Sequence, residues 1–133
     1  MHNIKQIILY RRDLKMRKGK IAAQVAHASM KVFLDRATSS SPSSMTLHLT
    51  PDMATWVRSR FTKIVLSVED EASLLRAYEE AKARGIPCAL IMDSGKTEFH
   101  GQPTHTTVAI GPADAELIDP ITGREGIIAT RLA

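Results

Sequence analysis

Ile7-Ile8-Leu9-Tyr10 runs through Arg11-Arg12-Asp13-Leu14-Lys15-Met16-Arg17-Lys18 into Gly19-Lys20-Ile21-Ala22-Ala23-Gln24-Val25-Ala26-His27-Ala28. The first four residues are continuously apolar, as in a strand covered on both faces. The last segment changes period. Lys20, Gln24, His27 and Lys31 are spaced i, i+4, i+7 and i+11, which at about 100° per residue puts them within roughly 60° of one another. Ile21, Val25, Ala28 and Val32 form the neighbouring apolar stripe. A strand, a basic connection and an amphipathic helix opened by Gly19-Lys20 thus follow one another. The helix carries an ammonium, an amide and an imidazole along one side, which suits an anionic, polar ligand.

The same alternation recurs downstream. Lys63 to Val68, Cys88 to Met92 and Thr106 to Ile110 read as further strands, beside the first from Ile4 to Tyr10. Helices are expected from about Lys20 to Arg36, Pro51 to Arg60 and Glu71 to Arg84; Pro51 suits a first helical turn, Asp70 an N-cap, and Gly85 with Pro87 a stop. Strands alternating with helices mean an α/β layered domain with a mostly parallel sheet. The 133 residues suffice for one domain, expected over 1–133. Thr38-Ser39-Ser40-Ser41-Pro42-Ser43-Ser44 is expected as a mobile loop, extending over about 38–50. Asp119-Pro120-Ile121-Thr122-Gly123 reads as a turn before a short terminal extension.

Composition narrows the function classes. Hydrophobic residues make up 44% and charged residues 24%, as in an ordinary globular protein. Seven of the 18 Lys and Arg residues fall in the first 20 positions (Lys5, Arg11, Arg12, Lys15, Arg17, Lys18 and Lys20), offset there by Asp13 alone. Such a patch suggests a polyanionic partner, with nucleic acid foremost. The single cysteine, Cys88, lies in an apolar run and has no intramolecular disulfide partner, which fits a reducing compartment, so cytoplasm is expected. No apolar run reaches the ~20 residues of a membrane span. The five histidines are scattered without ligand spacing, so no metal and no cofactor are expected.

A second polar constellation, Asp93-Ser94-Gly95-Lys96-Thr97-Glu98, follows the third apolar run. Ligands in open α/β sheets gather beyond the carboxyl ends of parallel strands. Asp93 and the loop leading to Gly19-Lys20 both lie at such ends, and an antiparallel fourth strand would bring Thr104 and Thr106 there too. Gly19-Lys20 and Gly95-Lys96-Thr97 each resemble the end of a phosphate-binding P-loop, but Leu14 and Leu90 stand where its first glycine is required. Neither segment is one.

Arg12-Asp13-Leu14-x-Met16-x-x-Gly19-Lys20-x-Ala22-Ala23-Gln24-x-x-His27-Ala28 resembles the opening of the archaeal/eukaryotic-type peptidyl-tRNA hydrolases. Trp56 followed by Lys63-Ile64-Val65-Leu66, Asp93-x-Gly95-x-Thr97-Glu98, and Thr106-x-Val108-Ala109-Ile110-Gly111-Pro112 continue the resemblance in the same order, over roughly Lys5 to Gly123. It implies a small α/β domain with a mixed four-stranded sheet, helices on both faces, and a homodimer. The implied activity is hydrolysis of the ester joining a peptide to the 3′ end of tRNA. The implied catalytic positions are Lys20, Asp93, Thr97 and Thr106, with Gln24, His27 and Thr104 as neighbours; Arg11, Arg12, Lys15, Arg17, Lys18 and Lys96 are expected to meet tRNA phosphates. The alternative is an RNA-binding module of the same fold that does not catalyse, which would not need Asp93 and Thr97 together. The chain departs from the family pattern at Ser94-Gly95-Lys96, where Ala-Gly-Arg is usual, and at Arg60-Phe61-Thr62, where Gly-Gln usually precedes the lysine. It also has one extra residue between Glu98 and Thr106 and a longer Ser-rich connection.

Overall fold

The computed structural model describes residues 3–95 and 99–133. Strand β1 (Ile4–Arg11) and a single 3-10 turn (Arg12–Leu14) lead into helix α1 (Lys18–Leu34). A two-stranded ribbon follows, β2 (Ala37–Ser41) and β3 (Ser44–Leu47), and then α2 (Pro51–Arg58) and β4 (Lys63–Val68). Helix α3 (Glu71–Ala83), β5 (Cys88–Asp93), β6 (Thr104–Asp114), α4 (Ala115–Thr122) and β7 (Arg131–Leu132) complete the order.

Five strands form one mixed sheet in the order β5-β6-β1-β4-β7. Only β1 and β4 are parallel; β6 runs antiparallel to both β1 and β5, and β7 antiparallel to β4. The expected four strands and largely parallel pairing are therefore corrected on two counts. The long β6 lies between β1 and β5, so those two share a direction while each pairs with an antiparallel neighbour. The C-terminal extension adds an edge strand, Leu66 pairing with Leu132; two residues are too short to show period-2 patterning.

The continuous apolar runs follow from burial on both faces. Ile7 and Leu9 enter the layer under α3 and α4 with Leu74, Ile110, Ile118 and Ile121. Ile8, between them, faces the layer under α1 and α2 with Ala28, Val32, Met53 and Ala109. Alternate residues of a strand point to opposite faces, so a strand buried on both sides must be apolar at every position.

Two further readings change. The serine-rich stretch pairs as an antiparallel ribbon, with Thr38 opposite Thr46 and Ser39 opposite Met45. Pro42 and Ser43 form its turn, and Arg36 Nε donates to the His48 carbonyl at 2.8 Å across its base. Backbone pairing needs no apolar side chains, so composition alone concealed it. Asp119-Pro120-Ile121-Thr122 lies in the second half of α4, not in a turn. Burial of Ile118 and Ile121 outweighs the hydrogen bond that Pro120 lacks. Cys88 is half-buried against the α3 layer, and desolvation raises its thiol to about 11, leaving it protonated at neutral pH.

Candidate active site

Because β1 and β5 share a direction and β6 opposes them, Arg11, Asp93 and Thr104 lie at one end of the sheet. Helix α1 starts beside that end and delivers its polar stripe to it. Lys20 Nζ donates to Asp93 Oδ1 at 2.8 Å. One turn further, Gln24 Nε2 donates to the same oxygen at 3.2 Å. The Gly95 amide donates to Asp93 Oδ2 at 2.9 Å, closing the strand end on itself. The Thr106 hydroxyl donates to Gln24 Oε1, and Thr107 Oγ1 donates to the Gln24 carbonyl at 3.2 Å. Lys20, Asp93, Gln24 and Thr106, drawn from three elements, thus form one continuous hydrogen-bonded chain.

The Lys20 and Asp93 side chains are only 14% and 12% exposed, so this pair is screened far less than a surface ion pair. The Lys20 ammonium, above all, holds the Asp93 carboxyl below its ordinary range. The Gly95 amide and the Gln24 side chain act in the same direction, against the opposing effect of burial. Asp93 is therefore a carboxylate with both oxygens accepting, while Gln24, buried, uses both ends of its amide. The site can present fixed negative and positive charge side by side at the end of the sheet.

The remaining expected residues fall differently. Thr104 stands opposite Asp93 in the ladder, and its hydroxyl donates to the Gln102 carbonyl at 2.8 Å. His27 is exposed and takes no part in the chain; at i+7 it lies about 10 Å along the helix axis from Lys20, where α1 has run back over the sheet beside Ala28. Lys96 and Thr97 lie outside the described residues. Lys15, Arg17 and Lys18 are exposed on the connection into α1. Arg11 is instead turned inward: Nε and Nη2 donate to Asp13 at 3.0 and 2.8 Å, and Nη1 donates to the His105 carbonyl at 3.1 Å. Arg12 Nη1 lies 3.3 Å from both the carbonyl and the hydroxyl of Ser67.

Sequence reading missed two features. The Arg11–Asp13 clamp was signalled only by an Arg-x-Asp spacing, and Phe99 approaches Lys20 with 5.6 Å from Nζ to the ring centroid. A separate apolar groove of about 800 Å³ lies between α1 and the β1–β4 pair, lined by Ile8, Tyr10, Ile21, Val25, Met30 and Val65 among others. None of the four residues of the polar chain lines it.

The model of the family described as Peptidyl-tRNA hydrolase PTH2 matches residues 4–124. The chain is 42% identical over 119 residues to a peptidyl-tRNA hydrolase of Methanopyrus kandleri, covering 90% of this chain and 93% of that one. It is 38% identical over 120 residues to that of Methanocaldococcus jannaschii and 40% identical over 120 residues to that of Sulfolobus acidocaldarius, in both cases over 90% of this chain and 96% of the relative. A solved structure of a protein of unknown function from Agrobacterium shares the fold at a TM-score of 0.54 and 12% identity, covering 100% of this chain and 99% of that one. With its polar chain of residues in place and the match running through nearly its whole length, the chain belongs to the peptidyl-tRNA hydrolase family PTH2.

Proposed function

We propose that this protein hydrolyses the ester between a peptide, or an N-acyl-amino acid, and the 3′ end of tRNA, so returning the tRNA to translation. Water adds to the ester carbonyl and the bond to the ribose oxygen breaks; a carboxylic acid and a free terminal hydroxyl result, the water proton passing to the leaving oxygen. The observation that carries this reading is the shielded Lys20–Asp93 pair at the sheet end. A carboxylate held below its ordinary pKa range is a weak proton acceptor but a strong hydrogen-bond acceptor. Asp93 therefore orients the attacking water, and Lys20 places positive charge where the oxyanion develops. Gln24 and Thr106 hold Asp93 in position. Thr97 is assigned to the same site on family resemblance alone.

The exposed Lys15, Arg17 and Lys18 beside the α1 start are assigned to tRNA phosphates, with Lys96 assigned by resemblance. Arg12 has guanidinium donors beyond Nη1 for the same task, whereas all three Arg11 nitrogens are already engaged by Asp13 and the His105 carbonyl. A second copy is assigned to the apolar groove, where Met30 is 61% exposed and Leu34, Val57 and Phe61 extend the apolar rim; contiguous exposed apolar surface of this kind marks an association face. No helix among the described residues is long and apolar enough to cross a membrane, and translation places the substrate in the cytoplasm.

The decisive test is release of N-acyl-amino acid from N-acyl-aminoacyl-tRNA in the presence of EDTA, comparing wild type with Asp93→Ala. Cleavage by wild type and a ~100- to 1000-fold loss in the variant are expected. A wild type that binds the tRNA and leaves the ester intact would make the protein an RNA-binding module instead.

A further inference from the structure

We infer that Phe99 is the stacking platform for the terminal base of the tRNA, the adenine carried by the same ribose as the ester. The inference rests on the hydrolase reading above and adds a base-binding subsite to it.

Phe99 is set apart by where its ring lies. Of the three phenylalanines, Phe33 and Phe61 pack on Trp56, at centroid distances of 5.7 and 4.4 Å. Phe99 lies beside Lys20 instead, half-buried at the brim of the polar chain. The backbone that carries it is also tied down. Gln102 N donates to the Phe99 carbonyl at 2.9 Å, and His100 and Gly101, between them, have φ of 53° and 78°. Two successive positive φ values are the signature of a type I′ turn. That turn is tied down by Gly101 N donating to the Gly95 carbonyl at 3.0 Å and by the Thr104 hydroxyl on the Gln102 carbonyl. Gly95 packs so closely that a Cβ there would stand 2.2 Å from the Gln102 oxygen. The same glycine gives its amide to Asp93, so ring and carboxylate are held through one backbone junction.

The chemistry selects the occupant. A partly exposed aromatic face takes a nucleobase at ~1–3 kcal/mol per stack, and a neighbouring cation suits the phosphate and ester that flank the terminal nucleoside. The base nearest the scissile carbonyl is one ribose away from it, as Phe99 is one side chain away from the Lys20–Asp93 pair. The acyl side chain is equally near but differs from tRNA to tRNA. A platform on a backbone tied down in this way suits the group that never varies.

The test measures hydrolysis of N-acetyl-alanyl and N-acetyl-phenylalanyl esters on an acceptor-stem minihelix. One version ends in adenosine, the other in a terminal ribose without a base. Phe99→Ala is expected to raise KM about tenfold on the adenosine end, as loss of one stack requires, with most of the effect in KM rather than kcat. The increase should be the same for both acyl groups, vanish on the baseless end, and be reversed by Phe99→Trp. Unchanged KM in Phe99→Ala, or an increase that follows the acyl group and persists without the base, overturns the platform. Should wild type cleave neither substrate, the hydrolase reading fails by itself. The platform is then decided by affinity for the uncharged minihelix: tighter binding with the terminal base, lost in Phe99→Ala, sustains it, and equal binding refutes it.

Discussion

Asp93 draws its character from two residues far away in the chain and one close by. Lys20, Gln24 and the Gly95 amide all donate to it, and Lys20 is the chief reason its carboxyl titrates below the usual range. Lys20→Met removes that cause, so the carboxyl should move up toward its ordinary value, which carbon NMR of the labelled side chain would follow. The consequence for stability has a definite sign. With its folded-state pKa below the unfolded one, Asp93 stabilises the fold above the unfolded value, and that contribution is lost as pH falls through the folded value. Acid unfolding of Lys20→Met should therefore begin at higher pH than in wild type; an unmoved acid limb would mean that Lys20 does not govern this carboxylate. Gln24 is a case in which residue type and spacing were legible but role was not. Its amide shows as a polar position on a helix stripe, yet its burial and its link to Thr106 exist only once β6 lies alongside α1.

Among the elements, the segment joining β5 to β6 governs the site most directly. Gly95 has φ +84° and no room for a side chain against Gln102, so Gly95→Ala strains the backbone and displaces the amide that holds Asp93. Displacements of this order cost about 100-fold in rate. The variant should lose that much kcat/KM and also unfold at a lower temperature, since a side chain at positive φ against backbone atoms costs stability; full activity would show that the segment does not set the carboxylate. The principal helices and strands were legible from periodicity, because burial on one face or two imposes a 3.6- or 2-residue pattern. The β2–β3 ribbon, α4 and β7 were not. Their structure comes from backbone pairing or from packing that overrides a proline, and neither leaves a pattern in the order of side chains.

For the molecule as a whole, charge and apolar surface make separate predictions. With Lys15, Arg17 and Lys18 exposed, tRNA affinity should fall steeply with salt. Each Lys→Ala or Arg→Ala change among the three should flatten the log–log slope by about 0.7–0.9; a slope indifferent to all three would move the phosphate contacts elsewhere. Met30→Asp puts a charge on the apolar groove and should convert a dimer to monomer in sedimentation velocity, and a monomeric wild type would remove the assigned second copy. The sequence by itself determined the α/β alternation, the helix stripe bearing Lys20 and Gln24, the strand-end position of Asp93 and the family, because each is written in local spacing or in motifs kept in order. Only the tertiary structure decided that β6 inserts antiparallel between β1 and β5, that Arg11 turns inward while Lys15, Arg17 and Lys18 stay exposed, and that Phe99 meets Lys20. Those outcomes depend on contacts between segments some 70 to 100 residues apart, where the low dielectric of a partly buried site and the exclusion of water choose among partners that no local pattern distinguishes.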